Sequence, residues 1–528
     1  MTVLLAALAV RIVWAGPPQT STAPATSRPA LDERPRLAVI GFESVPGSDE
    51  RDTWIPVALE ELLSRRLQRV PGLLVVPTIR LYQAQDELSE PNAPPPAWVD
   101  VVRGLGVQYA LSGRCSGPDN ALRVDLTLQR VDASGAEQHT SVGPERFDPV
   151  LDGITRWALA RFELDQLPPA LRAQLFAPPA RSALAVEYYA RALSAVRAQK
   201  PREALRYGVQ SLEADTRFRP ALMLVAQLEA SLGPSGRDNA TRRLRALFDL
   251  ARMDDDAFDR VRAEIGQCLL LQLDGAFDAA CTRAETALAV AYGGRDLYGQ
   301  MAAIAALSEL YLAQPMPGSP ALSHAGQKAF AHASVARAAE WQRILLDMLD
   351  NLGDQLAGLP AANKLAQIYD QLDEPEQALE MHQRTLALAT ALHAQRHQAT
   401  AWLFLGQWYR QQERWPEALD AVSRCLALAD EKGKPAVRIA LGQIYQAMQL
   451  PEKALAEFEL GYEQVRKSDD LLNQFTCLRE IADARMKLGQ RDAALRALKE
   501  AIDIAHVLEL RDEQRLQEQL DSWKASDN

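Results

Sequence analysis

The chain has 528 residues, of which 48% are hydrophobic, 24% charged and 6% aromatic, with 28 glycines and 31 prolines. That length excludes one small domain, and that balance excludes a disordered, collagen-like or disulfide-scaffold chain. A formal net charge of −11 leaves no excess of Lys and Arg to displace phosphate counterions, so nucleic acid is not an expected partner.

The run VLLAALAVRIVWA from Val3 to Ala15 is too short to span a bilayer, and Pro, Ser, Thr and Ala dominate from there to Pro35. Residues 1–35 therefore read as a signal-like leader followed by a disordered linker. Export to the periplasm or beyond is the expectation. A cytoplasmic location is the alternative, because no basic segment precedes the run and Arg11 interrupts it. No other stretch of about 18 apolar residues occurs, so no integral membrane span is expected.

Residues 34–167 carry strand and helix signals in alternation. Leu37 to Phe42 is a continuous apolar run, as in a strand covered on both faces. Ile55, Leu59, Leu62, Leu63 and Leu67 then recur at helical spacing. A second strand is expected at Leu73 to Val76, an exposed loop at Pro91 to Pro96, a short helix at Trp98 to Leu105 and a third strand around Tyr109 to Ser112. Leu122, Val124, Leu126 and Leu128 alternate with Arg123, Asp125, Thr127 and Gln129, which places one apolar and one polar face on a strand. The turn residues Gly117 to Asn120 and Ala133 to Gly135 on either side predict two antiparallel hairpins.

These segments, LAVIGFES, PGLLVVP, GVQYALSGRC and ALRVDLTLQRVDASG, resemble the TolB amino-terminal-like domain of bacterial proteins. The resemblance implies a small α/β fold and an assembly or ligand-sensing role, and it brings no catalytic residues.

Pro168, Pro169, Pro178 and Pro179 mark residues 168–182 as a linker. From 183 to 523 the sequence repeats itself with a period of roughly 36 to 40 residues. Leu365, Leu405, Leu441 and Ile481 are each followed after thirteen residues by Ala378, Ala418, Ala454 and Ala494. Pro375, Pro416 and Pro451 lie just ahead of the second helix, where a missing N–H is harmless. Gly406 and Gly442 sit where paired helices approach closely, with Tyr369, Tyr409 and Tyr445 wedged between neighbours. About seven to nine helix pairs are expected, weakest between Pro220 and Leu352 and interrupted at Gln314 to Pro320, with Asp512 to Trp523 closing the stack.

The pattern Trp402, Leu405, Gly406, Tyr409, Ala418, repeated as Leu441, Gly442, Tyr445, Ala454, Phe458, resembles the tetratricopeptide repeat. The fold expected is therefore mostly α: a small N-terminal α/β domain followed by an α-α superhelical solenoid of tetratricopeptide type.

No phosphate-binding glycine loop, GxGxxG, GxSxG or HExxH is present. His393 and His397 are four apart but have no adjacent Glu or third ligand. The five cysteines are an odd number and widely spaced, and Cys268 with Cys281 reads as two buried thiols rather than a redox pair. Trp408 and Trp415 read as packing residues. No enzyme, no cofactor and no metal are expected.

Surface columns remain. Gln367, Gln407, Gln443 and Asp483 share one position, Asp370, Arg410 and Gln446 lie three residues on, and Gln411 and Lys487 follow four beyond their column members. The resemblance implies that such residues line a groove that holds a partner's peptide or helix, and amides suit it because they both donate and accept. The expected function is a non-enzymatic protein-interaction scaffold in envelope assembly. The alternative is a regulatory protein whose α/β domain senses a small ligand and whose helices relay the state to an effector.

Overall fold

The computed structural model describes residues 32–45, 52–89, 95–131, 136–314, 324–468, 470–508, 510 and 512–525. The leader up to residue 31, the turn at Ala133 to Gly135 and the interruption after Gln314 lie outside them. Among the described residues the chain forms 22 helices and five strands, and it clusters into two compact units. The first unit is Met1–Glu87 with Pro95–Asp373, and the second is Glu374–Asn528 with Leu88–Pro94. The expected fold class is the one observed: a small N-terminal sheet region, then helices in repeated pairs.

The first unit begins with β1 (Arg36–Ser44), α1 (Trp54–Leu67), β2 (Leu74–Val75), α2 (Thr78–Leu88), α3 (Trp98–Gly104), β3 (Tyr109–Ser116), β4 (Leu122–Arg130), β5 (Glu137–Glu145) and α4 (Phe147–Arg161). The sheet order is β2-β1-β3-β4-β5, with β1 parallel to β2 and β3, and β4 antiparallel to β3 and β5. Leu37, Ala38, Val39 and Ile40 are all buried because α1 packs on β1 and Trp98 of α3 lies against Gly41. The alternation in β4 is as the sequence demands: Leu122, Val124, Leu126 and Leu128 enter the core, while Arg123 and Asp125 meet Ser141 of β5 on the outer face.

The helices α5 (Pro169–Leu175), α6 (Ala183–Arg197), α7 (Pro201–Ala214), α8 (Arg219–Ala230), α9 (Pro234–Met253), α10 (Ala257–Leu273), α11 (Phe277–Gly293), α12 (Leu297–Leu312), α13 (His324–Leu352) and α14 (Gln355–Gln371) complete this unit. Sheet and helices share one apolar core, which runs without a break from Leu37 and Leu111 through Leu59 and Leu63 to Tyr189, Phe218, Leu222, Leu247 and Ala263. Arginines of the sheet region meet the aspartates that start the later helices. Asp256 caps α10 by accepting from Asp259 N–H at 3.1 Å, and it also accepts from Arg69 and Arg219, each at 3.0 Å. Asp354 caps α14 at 2.8 Å and accepts from Arg80 at 3.2 Å. Asp259 is fully buried and accepts from Arg65 at 2.9 Å and Arg69 at 2.8 Å. An aspartate at a helix start satisfies free N–H groups and the helix dipole at once, and a guanidinium supplies the counter-charge that burial requires.

The second unit contains α15 (Pro375–Ala391), α16 (Gln395–Gln411), α17 (Trp415–Leu428), α18 (Lys434–Ala447), α19 (Pro451–Val465), α20 (Leu471–Lys487), α21 (Arg491–Val507) and α22 (Glu513–Ala525). Here α16 pairs with α17, α18 with α19 and α20 with α21. Ala418, Ala454 and Ala494 are fully buried in the second helices. A Cβ on Gly406 would strike Val422, and one on Gly442 would strike the ring of Phe458, so only glycine permits these crossings. Each first helix ends in a left-handed residue, Glu413, Gln449 or Gly489, after which Arg414, Leu450 and Gln490 donate back to Tyr409, Tyr445 and Arg485, all at 2.9 Å. That is the C-terminal cap that turns the chain tightly into the next helix.

Candidate partner-binding face

The first helices α16, α18 and α20 touch one another in sequence along one face of the second unit, while their partners α17, α19 and α21 take the other side of each pair. Small residues turned toward the second helix leave the following position turned away from it. Gln407, Gln443 and Asp483 occupy that position and are all half-buried. Arg410 and Gln446, one turn further, are also half-buried, whereas Gln411 and Lys487 are exposed.

Four of these expected residues are drawn into networks on α18, α20 and α22. Gln443 Nε2 donates to Glu480 Oε1 at 3.2 Å. With the Gln446 amide assigned so that its nitrogen faces the acceptor and its oxygen the donor, it donates to Glu480 Oε2 at 3.3 Å and accepts from Lys487 Nζ at 3.0 Å. Arg479 donates to the same carboxylate at 2.9 Å. Glu480 is therefore buried with both oxygens engaged, and its neighbours are fixed in turn. Asp483 accepts from Gln519 of α22 at 2.9 Å, and burial raises its carboxyl above the ordinary range against the pull of that amide. Gln407, Arg410 and Gln411 line α16 beside this network. Gln367 and Asp370 hold the same column positions on α14 of the first unit, both half-buried.

Glu480, Arg479 and Gln519 were not singled out by sequence. The equivalents of Glu480 in the two preceding copies are Ala440 and Phe404, so the column gives no polar signal there. The available clue was spacing: Glu480 precedes Asp483 by three residues, one helical turn on the same face.

Other polar groups offer little reactivity. Burial pushes the Cys425 thiol up to about 11 and those of Cys115, Cys268, Cys281 and Cys477 up to about 12, away from the nucleophilic thiolate. Trp408 is buried, and Trp415 packs against the cluster around Val422 and Leu441. His393 takes the left-handed turn position before α16 and His397 lies in its first turn. Among the described residues no three His, Cys, Asp or Glu side chains are grouped to hold a metal, and no helix is long and apolar enough to cross a membrane.

Residues 359–431 match the tetratricopeptide repeat family. No curated protein matches the chain. Solved structures similar to it include BtubC (BKLC) from P. vanneervenii, 20% identical over 45% of this chain and 89% of that one, with a TM-score of 0.35. A tetratricopeptide repeat protein from Parabacteroides merdae is 12% identical over 58% of this chain and 98% of its own, with a TM-score of 0.39. A signal transduction ATPase with a tetratricopeptide repeat sensor from Pyrococcus horikoshii is 13% identical over 71% of this chain and 57% of its own, with a TM-score of 0.44.

Proposed function

We propose that this tetratricopeptide-repeat-containing chain is a non-enzymatic scaffold that holds a segment of a partner protein along α16, α18 and α20. The observation that carries this is the fixed network around Glu480. Gln443, Gln446 and Lys487 are held before any partner arrives, so less side-chain freedom is lost on binding. Gln407, Gln411 and Arg410 supply further donors, and the amides also accept, which suits an extended backbone. Gln367 and Asp370 are assigned the same role in the first unit, and an exported setting in envelope assembly is part of the proposal. With a partner identified by cross-linking, the double variant Gln407→Ala and Gln411→Ala, which leaves the Glu480 network intact, should weaken binding by at least tenfold without a change in thermal stability. Unchanged affinity would remove this face from the proposal.

The sensing alternative draws on the shared core of the sheet region and the helices, through which a ligand-induced shift could pass. A metabolite screen by thermal shift on the full chain tests it: stabilisation by RT ln(1 + [L]/Kd) with α10 protected from exchange favours it, and no shift rejects it.

A further inference from the structure

The motif Pro-x-x-Ala-Leu opens α7 at Pro201 as it opens α15 at Pro375 and α19 at Pro451, and Ala204 is fully buried like Ala378 and Ala454. This fixes the register of the first helix pair against the later ones. Gln443 lies eleven residues before Ala454, and Gln411 lies seven before Ala418; the same offsets from Ala204 give Leu193 and Arg197 on α6. These positions are not open. Arg197 Nη2 donates to Glu60 Oε1 of α1 at 2.9 Å, and its guanidinium lies 3.7 Å from the centre of the Tyr82 ring. Leu193 packs against the core that includes α1. One turn earlier, Tyr189 is buried and donates to Glu61 Oε1 of α1 at 3.1 Å.

The same helix continues onto α10. Arg65 of α1 and Arg69 in the turn that follows it reach Asp259, and both guanidinium groups lie over the ring of Phe258, at 5.6 and 4.5 Å from its centre. At the far side of the sheet region, Gly104 fits against Leu356 in the first turn of α14.

We propose that the sheet region is a built-in ligand of the helical array: through α1 it occupies, in the first unit, the face that the later repeats present to other proteins. The proposal rests on the scaffold reading given above and narrows it. A partner cannot reach Leu193 and Arg197 while the sheet region is in place, so recruitment is excluded from α6 and left to the later first helices, α14, α16, α18 and α20. The occupant is held by an apolar core and buried ion pairs rather than by one exposed contact, which makes it a permanent resident and not an exchangeable lid.

The test places the photo-cross-linking residue p-benzoylphenylalanine at Leu193, Gln407 or Gln443 of the full chain in the cells that make it. The expected result is an intramolecular adduct from Leu193 to the peptide containing Trp54 to Leu67, and intermolecular adducts from Gln407 and Gln443 only. An intermolecular adduct from Leu193 overturns the proposal. An adduct from Leu193 to α1 with no intermolecular adduct at Gln407 or Gln443 sinks the scaffold reading, and the confinement with it, while leaving the internal contact established. Hydroxyl-radical footprinting of the unaltered chain guards against disruption by the probe. Buried Tyr189 should label at least tenfold more slowly than Tyr292, which is 50% exposed, and equal rates overturn the proposal.

Discussion

Replacing Asp259 by Asn removes one negative charge from a buried place where Arg65, Arg69 and Arg219 converge at 2.9, 2.8 and 3.7 Å. Burial alone would raise this carboxyl, but the guanidinium groups of Arg69, Arg65 and Arg219 outweigh it and bring it down to about 2. Against an unfolded value near 3.9, that favours the ionised folded state by on the order of 2–3 kcal/mol. Because the folded value is the lower one, the contribution is complete above about pH 4 and is lost as pH falls toward 2. Asn also strands the arginines in a dry site, so the full penalty is about 3–5 kcal/mol. Hydrogen exchange of the α1 and α10 amides at pH 7 is the assay, since it reads opening of this unit without assuming that the whole chain unfolds in one step. At 1.36 kcal/mol per tenfold, opening should increase by at least a hundredfold. Asp420→Asn, which loses only an exposed pair with Arg424 on α17, should change exchange by less than threefold. If Asp259→Asn also stays below threefold, the argument from buried charge is wrong.

Gly442→Ala forces a methyl against the buried Phe458 ring, and the second unit should lose about 1–3 kcal/mol despite the better helix propensity, with partial recovery on adding Phe458→Leu; thermal unfolding checks both. Gln449→Gly relieves a left-handed residue with φ of 60° at a helix end, as Gly489 does in the next copy, and should stabilise the second unit by about 0.5–1 kcal/mol in urea titration. Glu60 behaves oppositely to Asp259. Burial raises its carboxyl against the pull of Arg197 and Tyr82, so its share of stability grows as pH falls through its folded value. Glu60→Gln should flatten that rise, measured as the urea midpoint of the first unit followed downward from neutral pH.

What the sequence exposes is periodic, and what it hides is pairing. The alternation of Leu122 to Leu128 announced β4, and the thirteen-residue offset to Ala418, Ala454 and Ala494 announced the helix pairs, because burial of one face repeats at a fixed period. Strand β2 is only Leu74 and Val75, shorter than the apolar run around it, since just two residues meet the edge of β1. Strand β5 turns a single apolar side chain, Val142, to the core and so has no run of alternation to find. The docking of α1 on α6 and α10 was invisible for a different reason. Arg65 and Arg69, four apart beside the stripe of Leu62 and Leu63, look like any solvated helix face, and nothing local to them names Asp256 or Asp259. The polar columns of α18 and α20 were readable, but the carboxylate that organises them was not, because its equivalents in earlier copies are apolar.

The distance along the chain between Arg65 and Asp259, 194 residues, has a consequence for synthesis. A ribosome adding roughly 5–20 residues per second needs about 10 to 40 s after delivering α1 before α10 exists to receive it. Over that interval Arg65 and Arg69 have no aspartate to meet, and until α6 is made the apolar side of α1 that Tyr189 and Leu193 will cover is bare on the nascent chain, a target for holding chaperones. Slowing translation between codons 70 and 256 should lengthen chaperone residence and raise aggregation, whereas the same delay placed after α14 should not.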